Sequence, residues 1–479
     1  MYDVAIVGAG VIGGITARTL SKYDLRICIL ERESDVAMGA TKANSAIIHA
    51  GFDAKEGSLK AKLNVKGAQM MPELCRQLGV MYENNGSLVV GFHLQDRAML
   101  ESLLERGVKN GVPGLRILEK EELLQLEPNL SDEVLCALYA PTGAIVCPYN
   151  LTIAAIGNAM DNGADLKCNF EVCAIEKTET GYRLRSATEE VEARYVINCA
   201  GIYADQVASY IDDLSFTVHP RKGEYVLLDK EWGDLVKHTV FPTPSKMGKG
   251  ILVTTTVHGN LLLGPTSEDM EDKENKETTQ PGMDKVLASA GKTLRKLPAG
   301  KAITSFCGLR AVGSTGDFII NSPIKGFINA AGIDSPGLSA SPAIAEYIVS
   351  MLQAQGFSLK PREGYNPIRK PMHAFHNATI EEKNAWIKKN PAYGKIVCRC
   401  EGITEGEILE AIRSNPKATD LDGVKRRTRA QMGRCQGGFC SPYIAELLAR
   451  EWGIPMEQVT KSGGKSQINL QRTKGGTEE

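Results

Sequence analysis

The stretch from Asp3 to Glu31 narrows the folds open to this chain more than any other. An apolar strand, Asp3-Val-Ala-Ile-Val7, runs into Gly8-Ala-Gly10-Val-Ile-Gly13-Gly14, a helical stretch follows from Ile15 to Lys22, and a second strand from Arg26 to Leu30 ends at Glu31. Glycine permits a tight turn at the first position, close approach of a diphosphate at the second, and close helix packing at the third. The helix N-terminus offers that anion unpaired N–H groups and the positive end of a dipole. Glu31 stands close to the separation of about 20 residues at which a carboxylate accepts from a ribose hydroxyl. This order predicts a dinucleotide-binding α/β fold.

At 479 residues the chain exceeds one ordinary core, which predicts a large N-terminal unit and a small C-terminal module. A formal charge of −1 gives no long-range field toward nucleic acid. No run approaches the roughly 18–20 apolar residues that cross a bilayer. Met1-Tyr2-Asp3-Val4 enters a strand at once, without the basic and apolar regions of a secretory leader. The expectation is a soluble, cytoplasmic protein with no nucleic-acid partner and no membrane span.

Two later segments read as returns to the same sheet, Tyr195-Val-Ile-Asn-Cys-Ala-Gly201 and Gly326-Phe-Ile-Asn-Ala-Ala-Gly332. After the second, Ser335-Pro-Gly337-Leu-Ser-Ala-Ser341 opens an apolar helix whose N-terminus suits a negative charge. Between them, alternating β-rich stretches (86–92, 223–228, 239–242, 250–257 and 260–265) predict an antiparallel sheet in a second lobe. The mixed-charge run Glu268 to Glu277 reads as a solvated loop. The proline-rich stretch from Lys360 to Pro371 reads as a connector, followed by a short helix from Thr379 with Glu382 completing a capping box. From Lys461 onward the composition predicts a disordered tail.

Twelve cysteines in a large chain of this kind argue for metal binding or buried thiols rather than disulfides. Cys28, Cys75, Cys136, Cys147, Cys168, Cys173, Cys199 and Cys307 stand singly in apolar stretches, as small buried hydrophobes do. Cys398-Arg-Cys400 and Cys435-Gln-Gly-Gly-Phe-Cys440 are spaced as a set. Four thiolates suit zinc or a [2Fe–2S] cluster. The single residue inside the first pair departs from the usual zinc knuckle and favours iron–sulfur, with zinc left open.

Gly8-x-Gly10-x-x-Gly13, Glu31 and Ala43-Asn-Ser-Ala-Ile-Ile-His49-Ala-Gly51 resemble the glycerol-3-phosphate dehydrogenase and L-2-hydroxyglutarate dehydrogenase branch of the D-amino-acid-oxidase-like FAD superfamily, over roughly residues 1–355. The resemblance implies an FAD-dependent oxidoreductase over 1–357. Its Rossmann-like nucleotide part (about 1–80, 145–215 and 300–357) is interleaved with an antiparallel-sheet substrate part (about 81–144 and 216–299). It assigns FAD contacts to Gly8, Gly10, Val11, Ile12 and Gly13, to Glu31 and Arg32, and to Thr41, Asn44 and Ser45. Further contacts fall on Val172, Ala200 and Gly201, and on Gly332, Gly337, Leu338 and Ser339.

The expected chemistry moves a hydride from a carbinol carbon to the flavin and a proton to a base. Arg310 is the first choice for clamping an anionic substrate, because a planar guanidinium meets carboxylate or phosphate bidentately. His49 is the candidate proton acceptor, since imidazole titrates near working pH. Packing or flavin attachment are its other readings. Lys222, Glu224 and Thr255 are further candidates. Respiratory glycerol-3-phosphate dehydrogenases usually carry Gly-Gly-x-Arg-Tyr after this histidine, where the present chain has Ala50-Gly-Phe-Asp53. The missing arginine leaves a carboxylate substrate open.

Val397-Cys-Arg-Cys-Glu-Gly-Ile-Thr-Glu405 and Thr428-Arg-Ala-Gln-Met-Gly-Arg-Cys-Gln-Gly-Gly-Phe-Cys-Ser-Pro442 resemble the bacterioferritin-associated-ferredoxin-like [2Fe–2S] domain, a small helical module. This implies Cys398, Cys400, Cys435 and Cys440 as ligands in a module at 395–455, after a linker at 358–394 and before a tail at 456–479. Lys425-Arg-Arg-Thr-Arg429 and Arg434 read as charge compensation for the cluster or as a docking surface. A dehydrogenase with such a cluster implies further redox subunits, a flavoprotein or an iron–sulfur protein, and peripheral membrane association through one of them. The substrate expectation is sn-glycerol 3-phosphate. Its rivals are L-2-hydroxyglutarate or another 2-hydroxy acid, an amine or amino acid, and a non-catalytic electron-transfer role.

Overall fold

A computed structural model describes residues 1–244 and 250–471. Its first sheet is parallel at the centre, with Phe327–Ala331, Glu190–Asn198, Tyr2–Val7, Ile27–Leu30 and Asp165–Lys167 side by side in that order. Ile27–Leu30 and Phe327–Ala331 are buried along their whole length, the pattern of strands covered on both faces. Antiparallel strands extend the sheet, with Tyr182–Arg185 on the early half of Glu190–Asn198 and Ile319–Asn321 on Phe327–Ala331. Helices Val11–Leu20, Pro148–Asp161 and Gly337–Ala354 pack on this sheet around Ile6, Ile29, Ile156, Ile197, Ile328 and Ile344. Helix Leu59–Leu78 crosses the last of these at Gly67, where a Cβ would stand 2.2 Å from the Ser339 carbonyl oxygen.

The first helix begins one turn earlier than its side chains suggest. Gly10, extended at φ −77° and ψ −176°, caps it directly, so the glycine turn and the helix start coincide.

The second sheet has nine strands and contains all five β-rich stretches. It is antiparallel with one exception, the pairing of Thr239–Pro242 with Ser87–Gly91, which is parallel where two distant parts of the chain meet. Strand Ala302–Gly313, expected in the nucleotide part, instead forms the longest ladder of this sheet with Val218–Leu228. The division expected near residue 300 therefore falls inside the second lobe.

The C-terminal module has a small hairpin, Ile396–Cys398 with Ile403–Thr404, and helices Glu405–Arg413, Leu421–Thr428 and Ser441–Trp452 around Ile408, Ile412, Val424, Ile444 and Leu448. The connector is pinned to the first lobe. Arg362 donates to the carbonyls of Ser21 and Leu25, and Arg369 pairs with Asp161 at 3.1 Å. Thr379 and Glu382 form the expected capping box on helix Ile380–Lys389. Part of the segment expected to be disordered is packed instead: Asp422 N–H donates to Lys461 O at 2.8 Å, Ser34 donates to Ser462 O, and Thr460 bridges Gln467. Residues 472–479 lie outside the described residues. Of the eight single cysteines, six are buried, Cys168 is half-buried and Cys173 is exposed.

Candidate active site

A cavity of about 840 Å³ opens at the ends of the parallel strands, where Val7, Leu30, Cys199 and Ala330 give way to loops. Gly8 takes a left-handed φ of 104°, and a Cβ there would stand 2.4 Å from the Cys199 carbonyl oxygen. At Gly13 a Cβ would meet the Gly8 carbonyl oxygen at 1.9 Å, so helix and strand approach as only glycine permits. Gly10, Val11 and Ile12 line the cavity, and Gly13 supports them from behind. No side chain caps the helix at Gly10, although Val11 N–H donates to Thr41 Oγ1 at 3.0 Å.

Glu31 lines the cavity with its carboxylate held by two backbone donors, Ala9 N–H at 2.8 Å and Glu33 N–H at 3.0 Å. Burial nevertheless pushes its pKa up. Arg32 also lines the cavity, over the Tyr203 ring at 4.1 Å, and pairs with Glu33 and Glu274 at 3.1 Å each. Glu274 belongs to the run expected to be a solvated loop. In fact Glu268–Asp269 forms a short strand on Val218–Leu228, Lys273 pairs with Asp205 at 2.8 Å, and Lys273 and Lys276 reach the cavity. Val172, Ala200 and Gly201 line the same end.

Thr41, Asn44, Ser45 and His49 line the cavity along one continuous segment. Asn44 shapes it by donating to the carbonyls of Ala40 and Thr41 and accepting from Ala46 N–H at 2.8 Å. His49 N–H donates to Ser339 Oγ at 2.7 Å, and its Nε2 lies 3.3 Å from Ser335 Oγ. Gly337 and Leu338 line the cavity at the start of their helix, whereas Ser339 is buried behind it and tethers the His49 segment. Gly332 does not reach the cavity. It takes φ 60° and a Cβ would stand 3.0 Å from Gly313 Cα, so it serves close backbone packing.

On Val218–Leu228 the far wall follows the two-residue period of a strand, whereas six consecutive residues of Ala302–Gly313, Cys307 to Val312, border the cavity. Arg221 lies opposite Arg310, Gly223 opposite Gly308 and Tyr225 opposite Phe306, and opposed residues share a face. Arg221, Tyr225, Gly308 and Arg310 line the cavity. Arg310 donates to Thr266 O at 2.9 Å, and a Cβ at position 223 would stand 3.0 Å from its guanidinium. Lys222 and Glu224 occupy the intervening positions and do not line the cavity. Lys222 is buried with Nζ 3.4 Å from Asn275 Oδ1, and Glu224 accepts from Thr279 N–H at 2.5 Å, anchoring the start of helix Gln280–Thr293. Thr255 also misses the cavity, its hydroxyl 3.4 Å from Thr256 O.

Several lining residues are not among the candidates that the sequence offers. Tyr225 bonds Ser45 through its hydroxyl at 3.3 Å, stacks on Phe306 at 4.8 Å, and has its pKa raised by burial. Lys60 pairs with Asp334 at 2.6 Å, and Asn64 sits one turn further on the same helix. Their i, i+4 spacing was the one available signal.

In the C-terminal module the four thiols stand as two pairs. Cys398 and Cys440 are each 2% exposed and hydrogen-bonded to one another, while the Sγ atoms of Cys400 and Cys435, on the outer side, are 3.5 Å apart. A hydrogen bond from Cys440 brings Cys398 down to about 6, with N–H groups of Gln431 and Glu401 helping against burial. Burial opposes ionisation of Cys435, but Cys400 and the N–H groups of Gly437, Phe439 and Gly438 lower its pKa. Among the described residues no three such side chains converge on one point as a single-ion site. Thiols grouped by twos match a cluster of two irons, each taking two sulfurs.

Residues 3–351 match the FAD dependent oxidoreductase family, and residues 396–450 match the BFD-like [2Fe-2S] binding domain. The chain belongs to the FAD-dependent oxidoreductases. FAD and a [2Fe–2S] cluster are its cofactors, which closes the zinc alternative. The oxidoreductase is 49% identical over 476 residues, 99% of both chains, to a glycerol 3-phosphate dehydrogenase of Caloramator mitchellensis. A glycerol 3-phosphate oxidase of Mycoplasma pneumoniae is 33% identical over 363 residues, 73% of this chain and 94% of its own. The mitochondrial L-2-hydroxyglutarate dehydrogenase of Homo sapiens is 34% identical over 287 residues, 56% of this chain and 61% of its own. Among solved structures, dithionite-reduced L-alpha-glycerophosphate oxidase from Mycoplasma pneumoniae with FAD bound superimposes with a TM-score of 0.73 at 31% identity, over 77% of this chain and 98% of that one.

The basic run of the oxidoreductase is spent on an internal interface. Arg427 meets both oxygens of Asp35 at 2.7 and 2.8 Å and Arg426 adds a contact at 2.5 Å, all three side chains being buried. Burial alone would raise Asp35, but the two guanidiniums outweigh it and hold the carboxyl at about 2. Arg429 pairs with Glu401 inside the module and donates to Asn260, and Arg434 pairs with Asp229, so the run ties the cluster module to the second lobe as Asp35 ties it to the first. No described helix is long and apolar enough to cross a membrane.

Proposed function

We propose that the oxidoreductase oxidises sn-glycerol 3-phosphate to dihydroxyacetone phosphate and passes the electrons through its cluster to further redox subunits. The observation that carries this reading is the meeting of Arg310 and His49 in the cavity that the glycine turn and Glu31 also line. FAD, when bound, supplies the hydride acceptor. Arg310, steadied by Thr266 O, offers its remaining donors to the phosphate. Lys285 adds positive charge to the same cavity, beside Arg221 and Lys276, which are paired with Asp269 and Glu274. His49 takes the hydroxyl proton, and the Ser335 hydroxyl at 3.3 Å orients the imidazole. Phe52, Phe241 and Leu252 exclude water from the same chamber. A [2Fe–2S] cluster held by Cys398, Cys400, Cys435 and Cys440 would supply one-electron transfer, and we infer that the acceptor is a partner flavoprotein or iron–sulfur protein, engaged in the cytoplasm or at the membrane surface.

The relatives named for glycerol 3-phosphate support the substrate, and the L-2-hydroxyglutarate dehydrogenases, with Ala50 to Asp53 in place of the arginine segment, support a 2-hydroxy acid as the second reading. Anaerobic addition of sn-glycerol 3-phosphate, L-2-hydroxyglutarate, proline or glycine separates them. Rapid bleaching of the flavin band by glycerol 3-phosphate is expected. Bleaching by L-2-hydroxyglutarate alone transfers the assignment to the second reading, and bleaching by none of the four rejects both.

A further inference from the structure

The cavity and the thiol quartet belong to different cores, yet buried contacts join them within one chain. Tyr149, at the start of helix Pro148–Asp161, packs on the apolar cluster of Phe52, Phe241 and Leu252, each of which lines the cavity. Its hydroxyl lies 3.6 Å from Met432 Sδ and also contacts Arg429. Met432 stands in the loop that leads to Cys435.

That loop is held in uncommon backbone geometry. Arg429 ends helix Leu421–Thr428 at φ 70°, and Gln431 and Gln436 follow at 77° and 49°, a region costly for side chains of this size. Side-chain bonds within the module and to the second lobe hold it there. Arg429 Nε meets Glu401 Oε2 at 2.9 Å, next to Cys400, while its second arm donates to Asn260 Oδ1 at 3.1 Å in the second lobe. Lys230 of that lobe also meets Glu401, at 2.8 Å. Gln431 N–H donates to the sulfurs of Cys398 and Cys440, so the position of the loop is transmitted to two ligands.

We propose that Arg429 is a positioning residue that locks the cluster loop onto the FAD lobe through Tyr149 and Met432, so that electrons pass from the flavin to the cluster of the same chain. The inference rests on the electron route proposed above and is independent of the substrate. Each transfer oxidises reduced flavin by one electron and reduces the oxidised cluster by one. The flavin's proton goes to solvent, and a one-electron acceptor takes the electron from the cluster before the next transfer.

The test uses the holoenzyme with its flavin photoreduced by a deazaflavin, so that no substrate is needed. Cluster reduction is followed by freeze-quench paramagnetic resonance over a twentyfold range of protein concentration. A rate constant unchanged by dilution is expected. In Met432→Ala and Arg429→Lys the rate falls at least tenfold, with iron content and flavin content unchanged and, in Arg429→Lys, a shifted cluster signal. A rate proportional to protein concentration overturns transfer within one chain, and Met432→Ala reducing its cluster at the unaltered rate overturns the contact. If glycerol 3-phosphate fails to bleach the flavin while photoreduction still fills the cluster, the substrate reading falls alone. A cluster that photoreduced flavin never reduces rejects the electron route and this inference together.

Discussion

Arg310 bonds the Thr266 carbonyl and keeps the rest of its planar fork for the cavity, so its loss should be felt by the substrate and not by the flavin. Hydrogen bonds to a charged group are worth about 1.5–3 kcal/mol, which predicts a ten- to hundredfold drop in flavin reduction for Arg310→Leu. Stopped-flow reduction at matched FAD content measures it, and unchanged kinetics removes Arg310 from the site. Glu224 gives the opposite forecast. Because it anchors the start of helix Gln280–Thr293, Glu224→Gln should lower the unfolding free energy by about 1–2 kcal/mol and leave kcat/KM per bound flavin intact. Both residues are candidates on sequence, yet only Arg310 lines the cavity. Which positions of a strand face a cavity depends on register, and one step along the chain reverses the face. On Val218–Leu228, Arg221 and Tyr225 line the cavity while Lys222 and Glu224 between them do not.

The elements that hold cofactor and module depend on close backbone contact and on one buried charged junction. A methyl group at Gly13 has no room beside the Gly8 carbonyl, so Gly13→Ala should part helix from strand and yield protein with little bound FAD. The ratio of visible to ultraviolet absorbance after purification checks this. At the junction, Asp35 lies between Arg426 and Arg427, and its folded pKa of about 2 stands below the ordinary value of 3.8. A depressed carboxyl pKa contributes stability above the unfolded value that disappears as pH falls through the folded one. Docking of the module should therefore weaken between about pH 4 and pH 2, by about 2 kcal/mol. Asp35→Asn leaves two buried guanidiniums without an anion and should cost ~3–5 kcal/mol at neutral pH. Denaturant unfolding, with proteolysis of the connector as a second readout, measures both. The capping box at Thr379 was legible because its partners lie three residues apart, whereas nothing near Asp35 in sequence points to helix Leu421–Thr428.

Across the whole molecule the cluster module has its own core, distinct from those of the two lobes. Cys435→Ser should accordingly lose iron and slow turnover with one-electron acceptors while flavin bleaching by substrate stays within about twofold. Iron analysis beside anaerobic titration tests this, and loss of bleaching would mean that the lobes depend on the cluster. The glycine turn, the acid at position 31 and the thiol quartet were decided by sequence alone, because each is a local pattern whose chemistry requires fixed residue types at fixed spacing. The seating of the cluster loop by Arg429, Tyr149 and Met432, the exclusion of Lys222 and Glu224 from the cavity, and the use of the basic run as an internal clamp were decided only by tertiary structure. These depend on strand register and on contacts between residues hundreds of positions apart, which local spacing does not encode.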